Sequence, residues 1–151
     1  MDLKYDFTFL KTPDQITERV TGGNKGLLFL ANEMRRQMDP YVPANDMMLS
    51  QNVRTYVDGQ YGIVEYNSPY AHYQYTGKVY IDPKTKAAGF WIEGVGFRSR
   101  KGINKIPTNR KLEYLKFRHP NATDHWDEAM LKARKKDLET AMQNFIDRGA
   151  K

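Results

Sequence analysis

The spacing of apolar residues changes near residue 50, and that change limits the fold more than any other feature of the chain. Leu27, Leu30, Ala31, Met34 and Met38 recur every three or four residues, the repeat of one helix face. Val53, Thr55, Tyr56 and Val57 then give a strand composition within residues 49–57. Asp58-Gly59 supplies hairpin-turn chemistry, and Tyr61–Tyr66 reads as the return strand. Helical spacing returns in the last segment, where Trp126, Met130, Ala133, Ala141, Met142 and Phe145 form a stripe with a gap at Lys136-Asp137. Helix, strands and helix in this order predict an α+β domain. It has a mainly antiparallel sheet of about four strands, two long helices packed on one face, and a long flexible insertion.

Local signals place the boundaries. Thr12-Pro13-Asp14-Gln15 is a helix start, with Ile16 and Val20 on one face and Gly22-Gly23 as the interruption. Arg35, Arg36 and Gln37 fall on the wet side of the next helix, which Asp39-Pro40 stops. Tyr70 and Tyr73, one turn apart, predict a short helix that Gly77 ends. Residues 78–82 read as a third strand and residues 112–117 as a fourth. Thr123 or Asp124 caps the last helix, Asp127 and Glu128 suit its positive end, Trp126 anchors it on the sheet, and Gly149 ends it. The 151 residues predict a single domain, with residues 1–23 as an N-terminal segment and residues 84–111 as a flexible loop or arm.

The chain has no cysteine, which excludes disulfides, thiolate metal sites and a cysteine nucleophile. Its longest apolar run, residues 27–31, is far too short to cross a bilayer, and Asp2, Lys4 and Asp6 at the start are unlike a secretory leader. Charge is divided unevenly. Residues 1–97 hold ten Lys or Arg against eleven Asp or Glu, whereas residues 98–151 hold fourteen against seven. Within residues 98–118 there are eight basic residues and only Glu113 opposing them. Such a patch meets phosphate or an acidic protein face, or simply keeps the surface solvated.

Catalytic signals are sparse. His119 and His125 stand six residues apart across a helix start, not at the three or four of a helical metal pair. With Asp124 they are the basis of a third reading, a metal-dependent hydrolase. No serine lies in a nucleophile elbow, and neither Gly94-Val95-Gly96 nor the 22–26 stretch completes a phosphate-binding fingerprint. The expectation is a non-enzyme without cofactor or metal. The ten tyrosines are more informative, because tyrosine suits a surface that is apolar on one side and hydrogen-bonded on the other. The candidate interface is Tyr70, Tyr73 and Tyr75 with Arg98, Arg100, Lys101, Lys105, Arg110 and Lys111. Basic residues interleaved with Phe97, Tyr114 and Phe117 make a small nucleic-acid-binding domain the alternative; its affinity would fall steeply with salt.

Three blocks together resemble a known family. Ser68-Pro69-Tyr70-Ala71-His72-Tyr73-Gln74-Tyr75-Thr76-Gly77-Lys78 is similar to the YA-x-Y-x-Y-x-GK motif of tailed-phage minor capsid proteins. Leu112, Tyr114, Phe117, His119-Pro120, Ala122 and His125-Trp126 resemble the family's L-x-Y-x-x-F-x-HP-x-A-x-x-HW block, and Pro40-Tyr41-Val42-Pro43 its turn after the first helix. Met47 stands where the family has a glycine, Leu138 where it often has a second tryptophan, and residues 90–110 read as a variable insertion. The resemblance implies a neck component at the head–tail joint of the virion, made in the bacterial cytoplasm. It implies a ring of six copies between portal-proximal adaptor or head-closure proteins and the tail tube or tail terminator. DNA would pass through the lumen without sequence-specific binding.

Overall fold

Gly22 and Gly23 turn the chain, and the helical repeat that follows forms α1, Asn24–Met38. The computed structural model describes residues 1–5 and 21–149, so the helix start at residues 12–15 lies outside the described residues. Leu30, Ala31, Met34 and Met38 are buried on one side of α1. Gln37 is a correction: it is buried rather than wet. The arc of α1 that packing covers is wider than the apolar stripe, and Gln37 Nε2 meets its need for a partner by donating to Glu33 Oε1 at 2.7 Å. Asp39–Tyr41 form one turn of 3-10 helix where Pro40 ends the α geometry.

Met47 adopts φ 62°, in the left-handed region that costs an ordinary residue about 1–2 kcal/mol. The family resemblance has glycine at that position. Asp46 Oδ1 accepts from the Met48 N–H at 3.1 Å and starts a helical turn, α2, Met48–Gln51. Leu49 therefore lies in a helix, not in the strand expected from residue 49 onward. The strand itself is β2, Val53–Asp58, returning as β3, Tyr61–Tyr66. Asp58 pairs with Tyr61, so the two-residue turn is Gly59-Gln60, one place later than the Asp58-Gly59 signal. β1, Asp2–Tyr5, adds to the other edge and gives the antiparallel order β1-β3-β2. Thr55 Oγ1 donates to Asn32 Oδ1 at 2.6 Å, tying β2 to α1.

α3, Ala71–Thr76, is the short tyrosine helix, and Gly77 ends it with φ 65°. Asp124 packs against the Gly77 Cα, where a side chain would collide. β4, Lys78–Ile81, pairs antiparallel with β7, Ile106–Lys111, and between them β5, Phe90–Ile92, pairs with β6, Gly96–Arg98. The α+β class therefore holds, with the strands shared among three antiparallel sheets. The expected loop over residues 84–111 contains a hairpin and a strand. The fourth strand expected at residues 112–117 is irregular; its place beside β4 belongs to β7. Thr108 Oγ1 donates to Val79 O at 2.7 Å, and the Leu112 N–H bonds Gly77 O at 2.8 Å, which ends the pairing there.

α4, Trp126–Asp147, closes the fold. Neither Thr123 nor Asp124 caps it; His125 takes the cap position with φ 40° and no side-chain hydrogen bond to the helix N-terminus. Arg134, at φ −130° and ψ 18°, is non-helical and kinks the helix. Ala133 comes out to solvent, and Leu138, absent from the expected stripe, is buried beside Met142. Phe145 stacks on Phe29 of α1 at 4.4 Å. The core lies between α1, α4 and the three-stranded sheet, with Met34, Met38, Val64, Tyr66, Trp126 and Met130 fully enclosed.

Candidate functional site

The three sequence blocks meet at one junction. His119 Nδ1 lies 2.7 Å from Val42 O, and the Thr123 N–H donates to Tyr41 O at 3.0 Å, joining the turn after α1 to the chain before α4. The His125 N–H donates to Tyr75 O at 3.0 Å, and the Tyr114 hydroxyl donates to Gln74 O at 2.5 Å. Burial pushes the Tyr114 hydroxyl up to about 12. The Trp126 ring packs edge-on against Tyr66 at 5.2 Å and Tyr75 at 5.0 Å. The residues that carry the resemblance are thus largely those that hold the fold together.

A groove of about 300 Å³ opens beside this junction, lined by Tyr70, Tyr73, Tyr80, Phe97, Arg98 and Lys105 among others. Tyr73 meets Tyr80 edge-on at 4.8 Å, and the Tyr80 hydroxyl lies 3.3 Å from His72 Nε2. Lys105 Nζ donates to Ala88 O at 2.5 Å, and Arg98 Nη1 to Phe97 O at 2.9 Å. Ring faces, hydroxyls and two cations suit recognition of a surface that bears carboxylate or phosphate.

The candidate residues therefore separate. Tyr70, Tyr73, Arg98 and Lys105 come together in the groove. Lys101, Arg110 and Lys111 are exposed outside it. Tyr75 is turned inward to Trp126 and His125, and Arg100 is engaged within the chain. His119 and His125 face different partners, Val42 with Asp39 and Tyr75 with Asp124. Among the described residues no three His, Asp or Glu side chains gather as a metal site.

Asp82 is the residue that sequence reasoning missed. Its Oδ2 accepts from Arg100 Nε at 2.6 Å, and its Oδ1 from Arg100 Nη2 at 2.7 Å and from the Lys84 N–H at 2.8 Å. This buried carboxylate clasps the chain before β5 to the chain after β6. Asp82-Pro83 was the available signal, since aspartate before a turn bonds backbone N–H groups ahead of it. The Arg100 guanidinium, and then the Lys84 and Thr85 N–H groups, hold the Asp82 carboxyl well below the usual carboxylate range. A lowered value means the clasp is fully present above the ordinary value of about 4 and is lost as pH falls through the lowered one. Asp82→Asn is expected to speed hydrogen exchange across residues 90–98 while leaving amides near Trp126 unchanged. Unchanged exchange in the hairpin would remove the clasp from the account.

Comparison with known proteins adds one finding. A family model described as minor capsid protein matches residues 12–98, more than half of the chain. No curated protein and no solved structure matches it.

Proposed function

The chain belongs to the phage minor capsid protein family, and on that premise we propose that it acts at the head–tail joint of the particle. Membership makes it a structural virion protein, which is the observation that carries the reading. The proposed form is a neck ring of six copies whose lumen passes DNA without reading its sequence. Its neighbours are portal-proximal adaptor or head-closure proteins on one side and the tail tube or tail terminator on the other. The role is assembly rather than catalysis.

Surface chemistry supports a protein that works by contact. The groove between α3 and the β5–β6 hairpin joins tyrosines to Arg98, residue types enriched at protein interfaces. Lys101, Arg110 and Lys111 remain in solvent, where they can meet an acidic neighbour or the phosphates of passing DNA. The test is electron microscopy of particles assembled with this reading frame stopped early. DNA-filled heads lying apart from finished tails are the expected result. Intact, joined particles would overturn the placement at the joint.

A further inference from the structure

The β5–β6 hairpin hydrogen-bonds to no third strand among the described residues. A two-stranded ribbon this short is at best marginal in water unless something covers it. Its side chains are nevertheless mostly apolar. Trp91 and Phe97 are cross-strand partners and so share one face, with Trp91 74% and Phe97 55% exposed. Phe90 and Ile92 stand on the other face, and Val95 in the turn; all three are exposed. The hairpin thus leaves large apolar side chains in water on both of its faces. Exposed apolar side chains gathered in one short element mark an interaction site.

The opposite feature exists elsewhere on the same chain. Among the described residues an apolar groove of about 340 Å³ between α1 and α4 is lined by Leu30, Leu131, Leu138, Met142 and Ile146, with Lys135, Glu139 and Gln143 also bordering it. It spans the kinked part of α4, where Leu131 and Leu138 flank Arg134. Lys135 and Glu139 pair only loosely, at 3.9 Å, and both are exposed. The hairpin carries Glu93 in its turn and Arg98 at its base, the charges that complement them.

We propose that the β5–β6 hairpin of one copy seats in the α1–α4 groove of the next copy. The proposal rests on the ring reading above and supplies its contact. Two unlike patches on one chain make a head-to-tail interface, which repeats around a ring; hairpin pairing with hairpin would stop at a dimer and leave the groove empty.

The chain has no native cysteine, so engineered ones report directly. Val95→Cys and Gln143→Cys are made in separate chains, mixed and oxidised, because a disulfide forms only where backbones come within about 7 Å. The expected product is the mixed dimer, at least tenfold more abundant than when the Val95→Cys chain also carries Trp91→Ala. Trp91 is exposed, so that substitution should leave the thermal melt unchanged, which shows that the loss is one of docking. Homodimers of Val95→Cys in excess of the mixed product, or no mixed product, would overturn the proposal. A Val95→Cys/Gln143→Cys double variant placed in particles should give a disulfide ladder. Absence of the chain from the particles would count against the neck reading, whereas the purified mixture decides the docking, so the two can fail separately.

Discussion

Trp126→Ala is expected to destabilise the isolated chain by about 3–5 kcal/mol, the range for truncating a buried tryptophan. For a domain of this size that lowers the melting temperature by roughly 10–15 °C. The reason is position as well as bulk. The ring is fully enclosed at the first turn of α4, between Tyr66 of β3 and Tyr75 of α3. Its removal opens a cavity at the point where three elements meet, and the neighbouring chain is held there by backbone bonds to Tyr41 and Tyr75, so it cannot easily collapse inward. Chemical denaturation of the purified variant measures the loss. A change below about 1 kcal/mol would show that the ring is not buried in solution and belongs to a surface instead.

Gly62→Ala should cost about 1–3 kcal/mol, the range for forcing extra volume into a packed interior. A Cβ at Gly62 would stand 2.5 Å from Leu27 O and 3.3 Å from the Ala31 Cβ, so α1 would have to lift off β3. Backbone O of a helix cannot rotate away as a side-chain tip can. The same denaturation experiment reads the effect. A shift within about 0.5 kcal/mol would mean that α1 does not rest directly on the centre of the sheet.

Elements whose signal is local were legible in the sequence. The spacing of Leu30, Met34 and Met38 located α1, the run from Val53 to Tyr66 located the β2–β3 hairpin, and Tyr70 with Gly77 bounded α3. Features decided by distant partners were not. The 112–117 stretch has the better strand composition, yet the Pro107-containing stretch pairs with β4, and Thr108 bonds Val79 across the ladder. An edge strand tolerates that proline, so composition alone cannot arbitrate. Ala133 and Leu138 depart from the expected stripe on either side of Arg134, the one non-helical residue of α4, and no periodicity count contains that residue's ψ.

The candidate site divides in the same way. Residue type marked the tyrosines and the basic segment as candidates, and four of those residues line one groove. It did not separate residues free to meet a partner from those already used inside the chain. Tyr75 is held by Trp126, and Arg100 by Asp82, eighteen residues earlier. Asp82-Pro83 marks the local turn, but the clasp itself is invisible locally because it exists only when Arg100 returns to Asp82.

That pairing makes the excursion between Asp82 and Arg100 a cassette. The body of the protein is tied to its two ends and places few demands on the side chains displayed between them. Mutations there meet little resistance from folding, while the core around Trp126 tolerates few. A chain built this way can change what it attaches to without relearning how to fold.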